Sequence, residues 1–277
     1  MPTMDSQRPA GLRWGMASDI DSPLRVLILG GTTEATALAR LVAGRPEIDA
    51  VLSFAGRTLS PVPPPIPHRI GGFGGVEGLA RFLVAEGTGA VVDATHPYAV
   101  RIAANAVAAC AAAGVPLAVL SRPPWSAVDG DRWTEVDDAP AAAAALGPVP
   151  RRVFLTVGRL ELDAFAAAPQ HAYLVRTVDP PDPPVSLPRL TLIQGRGPFA
   201  QADERALMER EGVEVLVTKN SGGTATHGKI AAARALGLPV VVIRRPPGSG
   251  AGTVLHAPAA AVDWLLARHS GSTRRGV

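Results

Sequence analysis

The sequence has little of several residue types on which common protein chemistries depend. It contains one cysteine, Cys110, so an internal disulfide is excluded, and the alanine-rich helical stretch around it indicates a buried, unreactive thiol. Aromatic residues make up only 4% of the chain, and the lysine-rich runs with interleaved aromatics that are typical of nucleic-acid-binding proteins are missing. No group of histidine, cysteine and carboxylate residues has the spacing of metal ligands. The composition therefore predicts neither a nucleic-acid partner nor a metal site.

The sequence also lacks apolar segments that would direct the chain to a membrane. Residues 1–23 are rich in charged side chains and have no signal-peptide core, so we expect a disordered leader on a cytoplasmic protein. The longest apolar region, residues 99–120, is divided by Arg101, Asn105 and a break at Gly114 into a predicted helix and strand. We therefore expect no membrane segment.

The charge balance is close to even. There are 27 basic and 24 acidic residues, which give a formal net charge of +3. A small excess spread along the chain favours an anionic small molecule as the partner. Nothing in the pattern calls for an obligate protein partner.

The chain opens with a strand, a glycine turn and a helix. Residues 24–29 are apolar apart from Arg25, which is typical of a strand buried on both faces of a parallel sheet. Gly30 and Gly31 permit a tight turn and close approach of a ligand. Thr32 or Thr33 can cap the helix, whose positive end attracts phosphate. Because the full G-x-G-x-x-G pattern is absent, an ordinary strand-to-helix turn is the alternative.

Two later segments of the first half strengthen the nucleotide interpretation. A second predicted strand, residues 50–55, ends at Gly56 and Arg57, where an arginine accommodates the 2′-phosphate of NADP, although a solvated loop arginine is the alternative. The glycine-rich run at residues 71–75 predicts a loop whose backbone a ligand approaches closely, with a flexible lid as the alternative.

The segment of residues 90–99 begins with the next predicted strand and is chemically varied. It places Asp93, Thr95, His96 and Tyr98 at the carboxyl end of the strand, which is the edge where open parallel sheets bind ligands. A lone histidine is often structural. The hydroxyl groups beside His96 nevertheless favour a functional site.

The second half repeats the pattern of strand into polar turn. Three apolar runs are each followed by an arginine, namely Arg159, Arg176 and Arg196. These arginines predict an anion-binding rim, with separate surface charges as the alternative. Another strand ends at Lys219-Asn220-Ser221-Gly222, a cluster of donors suited to an anionic or carbonyl-bearing ligand, with solvated turn residues as the alternative.

This alternation of strands and helices predicts an α/β fold with two Rossmann-like, doubly wound parallel-sheet domains and an interdomain cleft. A length of 277 residues accommodates two such domains. We predict a leader at 1–23, an NADP-binding domain at 24–130, a substrate-binding domain at 131–268 and a loose tail at 269–277.

Several motifs together resemble the precorrin-6A reductase family of cobalamin biosynthesis. They are Gly30-Gly31-Thr32-Thr33-Glu34, Gly56-Arg57, Gly71-Gly72-Phe73-Gly74-Gly75, Asp93-Ala94-Thr95-His96-Pro97-Tyr98, Ser121-Arg122-Pro123, Thr156-Val157-Gly158-Arg159 and Lys219-Asn220-Ser221-Gly222-Gly223. The resemblance spans nearly the whole chain beyond the leader, and the proline-rich stretches at 61–67 and 179–188 depart from it. It implies two Rossmann-like domains and NADPH-dependent reduction of one double bond in an anionic tetrapyrrole macrocycle.

The motifs and the resemblance together assign the candidate site residues. Those expected to bind NADP(H) are Gly30, Gly31, Thr32, Thr33, Glu34, Gly56, Arg57, Gly72, Phe73, Gly74, Asp93, Thr95 and His96. Those expected to bind the substrate are Tyr98, Arg159, Arg176, Arg196, Lys219, Asn220, Ser221 and Gly222. The candidate proton donors are His96, Tyr98 and Lys219, with solvent as the alternative. The alternative function is a two-lobed binding or regulatory module that holds an anionic ligand without converting it.

Overall fold

A computed structural model describes residues 22–56, 63–180, 184–248 and 250–273. The strands are β1 Leu24–Leu29, β2 Ile48–Phe54, β3 His68–Ile70, β4 Ala90–Asp93, β5 Leu117–Leu120, β6 Arg132–Val136, β7 Arg152–Thr156, β8 Ala172–Thr177, β9 Leu190–Gln194, β10 Val215–Lys219, β11 Pro239–Ile243 and β12 Thr253–Leu255. The helices are α1 Thr33–Val42, α2 Gly75–Ala85, α3 Val100–Ala113, α4 Ala139–Ala145, α5 Gln201–Arg210, α6 Gly228–Ala235 and α7 Pro258–Thr273, with a 3₁₀ helix at Arg159–Ala167.

The strands form two six-stranded sheets, and every pairing among the described residues is parallel. The first sheet has the order β12-β5-β4-β1-β2-β3, and the second has the order β6-β11-β10-β7-β8-β9. The predicted α/β class with two Rossmann-like sheets is therefore confirmed.

Helices cover both faces of each sheet. In β1, Val26 and Ile28 pack with α1 and α7 on one face, whereas Leu27 and Leu29 pack with α2 and α3 on the other. In the second sheet, the 3₁₀ helix and α4 cover one face, and α5 and α6 cover the other. Burial on both faces is the reason that these strands have continuous apolar runs in place of an alternating pattern.

The chain returns to the first sheet for its last described strand, which the sequence did not reveal. The chain passes from β5 in the first sheet to β6 in the second, close to the boundary predicted at residue 130. It then returns from β11 to β12, which pairs with β5. The prediction that residues up to 268 belong to the second domain is thus wrong for residues 253–268, because β12 and α7 complete the first sheet.

The last helix also runs further than predicted. Helix α7 continues to Thr273, into the tail predicted to be loose from residue 269. It is anchored by Ala261, Trp264 and Leu265, which are buried against the first sheet. An apolar helix face does not indicate which of two sheets it covers, so local sequence could not assign it.

The longest apolar region forms a helix and a strand, as predicted. These are α3 and β5, separated at Gly114, which has a φ of 66°. No helix in the described ranges is both long enough and apolar enough to cross a membrane. Burial raises the pKa of Cys110 to about 11, which keeps the thiol protonated.

Candidate active site between the two sheets

The two glycines of the turn after β1 have different surroundings. A Cβ on Gly30 would lie 2.7 Å from Leu52 Cδ1 of β2, so a larger residue here would require the Leu52 side chain to shift. Gly31 has a φ of 120° and open space where a Cβ would be. The first glycine therefore serves strand packing, and the second leaves the backbone accessible.

Thr32 connects this turn to the neighbouring strand end. Its hydroxyl accepts from the Ala35 N–H at 3.1 Å, which caps α1, and donates to Ala94 O at 2.7 Å. Helix α1 therefore presents its positive end at the carboxyl edge of β1 and β4. This geometry suits the phosphates of a dinucleotide.

The Glu34 carboxylate is paired with groups of the protein itself. This carboxylate, in the first turn of α1, forms an ion pair with Arg122 from the segment after β5, and both side chains are largely buried. The nearby Thr33 hydroxyl donates to the same carboxylate at 3.0 Å. Arg122 thus neutralises an anion that would otherwise repel phosphate at the start of the helix.

The glycine-rich loop at residues 71–75 is held in place by Arg69, which sequence reasoning missed. Its guanidinium donates to Ser53 Oγ at 2.9 Å, to Gly71 O at 3.0 Å and to Gly72 O at 3.1 Å. It also lies 3.9 Å from the centre of the Phe73 ring. The only signal in the sequence was an arginine within the short strand before the loop.

Two of the predicted cofactor residues serve the fold of their own turn. Asp93 Oδ1 accepts from the Thr95 N–H at 3.0 Å and from the Thr95 hydroxyl at 2.7 Å. Burial raises the pKa of Asp93, and the two bonds from Thr95 counteract this effect. The pair therefore shapes the loop that carries His96 and Tyr98.

His96 makes a direct contact between the two halves. Its Nδ1 accepts from the Tyr98 N–H at 3.4 Å, so in the neutral ring Nε2 donates to Ser221 Oγ at 3.2 Å. Burial lowers the pKa of His96 to about 3, and the charges of Arg122, Lys219, Arg245 and Lys229 contribute. The ring is therefore neutral at physiological pH and is not an imidazolium proton donor.

This charge state predicts acid sensitivity. Because the pKa of His96 is about 3 when folded and 6.5 when unfolded, the unfolded chain binds more protons between these values. The free energy of unfolding should fall as pH is lowered from 6.5 towards 3. Denaturant titrations should show a shallower fall in His96→Asn than in the parent. Equal pH dependence in both proteins would contradict a buried, neutral His96.

Tyr98 also joins the halves. Its hydroxyl donates to Ile243 O at 2.5 Å and accepts from the Asn220 N–H at 2.8 Å, both in the second half. Burial raises the pKa of Tyr98 to about 12. Its only hydroxyl proton is committed to a backbone carbonyl, so the geometry disfavours it as the proton donor.

Lys219 ends β10 and forms an ion pair with Glu161, which sequence reasoning also missed. Its ammonium lies 4.9 Å from the centre of the Tyr98 ring. A Cβ on Gly158 would lie 2.6 Å from Glu161 Oε2 and 3.2 Å from Lys219 Nζ. Gly158 therefore leaves room for this ion pair.

The residues after Lys219 bind the crossing segment, residues 121–131, which connects β5 of the first sheet to β6 of the second. Asn220 Oδ1 accepts from the Trp125 N–H at 2.8 Å, and Asn220 Nδ2 donates to Trp125 O at 2.9 Å. Ser221 O accepts from Arg122 Nε at 2.7 Å and from Arg245 Nη2 at 3.0 Å. Asn220 and Ser221 of the predicted donor cluster therefore form a joint, that is, a set of hydrogen bonds that connects the two halves. Lys219 differs from them because it contacts Glu161 and the Tyr98 ring.

The three predicted rim arginines do not share one environment. Arg176 is buried, forms a 2.7 Å ion pair with Glu204 and lies 4.1 Å from the centre of the Phe199 ring. Its charge is used inside the second half, whereas Arg159 and Arg196 are exposed. The structure thus leaves two of the three arginines at the surface.

One predicted contact lies outside the described residues. Gly56 ends the turn after β2 with a φ of 74°, but Arg57 falls in the range 57–62, so its role at the 2′-phosphate stays a prediction. Within the described ranges, no three His, Cys, Asp or Glu residues are grouped to hold a metal ion.

A cavity of about 410 Å³ lies away from these residues, between α4 and the 3₁₀ helix. Its lining consists of Pro140, Ala143, Ala144, Gly147, Pro148, Ala164, Ala167, Ala168 and Gln170. It offers no charged side chain for an anionic ligand. The candidate site with charged and polar side chains is therefore the region between the two sheets.

Comparison with known proteins identifies relatives that match most of the chain. The family model for precorrin-6x reductase CbiJ/CobK matches residues 25–266. A precorrin-6A reductase from Rhodobacter capsulatus is 50% identical over 253 residues, which cover 91% of this chain and 99% of that protein. One from a Sinorhizobium species is 53% identical over 221 residues, covering 80% and 85%. A cobalt-precorrin-6A reductase from Priestia megaterium is 30% identical over 233 residues, covering 80% and 90%.

A solved structure extends the similarity to three dimensions. The structure described as CobK precorrin-6A reductase has 49% sequence identity and a TM-score of 0.84, covering 88% of this chain and 96% of that one. The match includes both sheets and the segments between them. The chain therefore belongs to the precorrin-6x reductase CbiJ/CobK family.

Proposed function

We infer that this protein catalyses the NADPH-dependent reduction of a double bond in precorrin-6A, a step in cobalamin biosynthesis. The observation that carries this inference is 50% identity to a precorrin-6A reductase along 99% of that protein. Similarity of this extent includes the strand ends of both sheets. The function predicted from the motifs is thereby supported by the chain as a whole.

The cofactor and the substrate are assigned to the carboxyl edges of the two sheets. NADP(H) supplies the hydride when it is bound. Gly31, the capped start of α1 and the loop fixed by Arg69 offer backbone groups to its phosphates and adenosine. Tyr98 and Asn220 hold the second half against this edge, so that the substrate is oriented beside the cofactor.

The substrate side must accept several carboxylates. Lys219, Arg159 and Arg196 place cations on the second half, where charge-assisted hydrogen bonds to acetate and propionate groups are favourable. With His96 neutral and the Tyr98 proton committed, Lys219 and solvent remain as proton sources. No nucleic acid or protein partner is part of this proposal. A cytoplasmic location is part of it, and cell fractionation tests this location.

We also favour a metal-free macrocycle as the substrate. The relatives named precorrin-6A reductase are 46% to 53% identical to this chain. Those named cobalt-precorrin-6A reductase are 28% to 30% identical. Parallel assays with precorrin-6A and its cobalt complex should give the higher kcat/KM for the former.

A mixing experiment separates the enzyme from the alternative of a binding module. The purified protein should retain NADPH and oxidise it only when precorrin-6A is added, with one NADPH consumed per macrocycle reduced. Binding of the macrocycle without loss of NADPH absorbance would favour the module.

Cofactor preference provides a prediction for Arg57. If its guanidinium contacts the 2′-phosphate, Arg57→Ala removes a charge-assisted hydrogen bond worth roughly 1.5–3 kcal/mol. NADPH affinity should then fall by about 10- to 100-fold while NADH affinity is unchanged. Titrations of both cofactors, with Arg45→Ala as a surface control, measure this directly. An equal loss for NADPH and NADH would refute the contact.

A further inference from the structure

The chain contains only two lysines, Lys219 and Lys229, and its other basic residues are arginines. Lysine is ordinarily a surface residue. Here both are buried, with 8% and 6% of their surface exposed. Lys219 is compensated by Glu161. Lys229, within the part of the chain that the structure describes, has no hydrogen bond or ion pair.

The charges around Lys229 do not neutralise it. It lies in the first turn of α6, with its ammonium 5.5 Å from the centre of the Trp125 ring. The nearest acidic influence is Glu204 of α5, but Oε1 of that carboxylate is bonded to Arg176 of β8 at 2.7 Å. Oε2 of Glu204 is buried and has no hydrogen-bond partner. Because Glu204 is paired with Arg176, its carboxylate offsets the charge of Lys229 only in part.

This charge lies next to the contact between the halves, because the Trp125 ring beside it belongs to the segment after β5 and its Nε1–H donates to Gly223 O at 2.7 Å. Arg122, from the segment after β5, lowers the pKa of Lys229, and Lys229 in turn lowers the pKa values of His96, after β4, and of His227, before α6. Burial is the largest cause that brings the pKa of Lys229 to about 8. The ammonium is therefore charged at neutral pH, beside residues that belong to both halves.

An unpaired buried cation is strongly unfavourable unless a partner arrives. The Trp125 ring lies beside the ammonium, and Asn220, next to Lys219, holds the backbone of the same tryptophan, so Lys229 lies near the residues proposed to face the substrate. We propose that Lys229 is an anchor for one carboxylate side chain of the tetrapyrrole. This assignment rests on the proposed function, and it adds a buried binding point to the exposed cations of the second half.

Substrate titration tests the anchor. Lys229→Met keeps the length of the side chain and removes its charge. Affinity for precorrin-6A, measured with NADP⁺ present so that no turnover occurs, should fall by about 10- to 100-fold. NADPH affinity should be unchanged. Arg205→Gln removes an exposed cation of the adjacent helix α5 and should leave both affinities as in the parent.

Protein stability provides a second test, in which Lys229→Met is expected to be favourable. Removing an unpaired buried charge should raise the melting temperature of ligand-free Lys229→Met above that of the parent at pH 7. Because the pKa of Lys229 is about 8 when folded and 10.5 when unfolded, the parent should regain stability relative to the variant as pH rises through this window. A structurally paired lysine would give a less stable variant.

Nuclear magnetic resonance reports on the ammonium itself. Lysine labelled with ¹³C at Cε gives two side-chain signals in this chain, and the one lost in Lys229→Met belongs to Lys229. Its pKa should rise when precorrin-6A binds, because a carboxylate stabilises the charged form.

The outcomes separate this assignment from the proposed function. If the parent reduces precorrin-6A but Lys229→Met binds it normally, loses stability or shows reduced NADPH affinity, Lys229 is not the substrate anchor. If the parent fails to reduce precorrin-6A at all, the proposed function is wrong.

Discussion

Lys219→Ala is expected to weaken binding of precorrin-6A by about one to two orders of magnitude and to leave NADPH affinity unchanged. The lysine ends β10 at the carboxyl edge of the second sheet, where its ammonium faces Glu161 and the Tyr98 ring. Removing it takes away a cation for a substrate carboxylate. It also leaves the Glu161 carboxylate unpaired, and this negative charge repels the same group.

Two variants control for this double effect. Glu161→Gln keeps the ammonium and removes the competing carboxylate, so precorrin-6A should bind at least as tightly as to the parent. Lys219→Arg keeps the charge and should retain part of the affinity. Added salt should weaken binding to the parent more than to Lys219→Ala. Loss of NADPH affinity in Lys219→Ala would mean that the two halves have been assigned the wrong ligands.

Gly222→Ala is expected to be a strongly damaging single-methyl change at the contact between the halves. A Cβ at Gly222 would lie 2.1 Å from Pro123 O, a backbone atom of the crossing segment, and the φ of this residue is 68°. Left-handed backbone in a non-glycine residue costs roughly 1–2 kcal/mol, and overpacking adds about 1–3 kcal/mol. Turnover should fall as well, because the joint positions the two halves.

Gly237→Ala is the matched control. Its φ is 64°, but a Cβ there would meet nothing within 4 Å. Denaturant titrations should give a loss of roughly 1–2 kcal/mol for Gly237→Ala and a clearly larger loss for Gly222→Ala. Equal losses in the two variants would show that the approach of Pro123 to Gly222 does not contribute to the joint.

Local sequence predicted the elements better than it predicted their assembly. The apolar run at residues 24–29, the following glycines and the cap at Thr32 all correspond to observed structure, because each depends on residues adjacent in the chain. The return of β12 to the first sheet depends on which sheet edge that strand joins. Strand composition carries no information about that choice.

Local sequence also did not predict which way individual side chains point. Arg176 was expected at a strand end, yet it lies within β8 and shares the face of Leu174, on which Phe154 and α5 pack. Asn220 was expected to bind ligand, yet its amide is matched to the Trp125 backbone 95 residues away in the chain. Such partners become visible only when the crossing segment is in place. Arg69, Glu161 and Lys229 were missed for the same reason.

Hydride transfer is the central claim, and isotope labelling tests it most directly. NADPH carrying deuterium at C4 of the nicotinamide would be mixed with the protein and precorrin-6A in ordinary water, and the macrocycle would be analysed by mass spectrometry. We predict that the reduced macrocycle contains one deuterium from the cofactor and one hydrogen from the protein or solvent. An unreduced macrocycle, or a reduced one without deuterium when the transferred position of NADPH is fully labelled, would contradict the account.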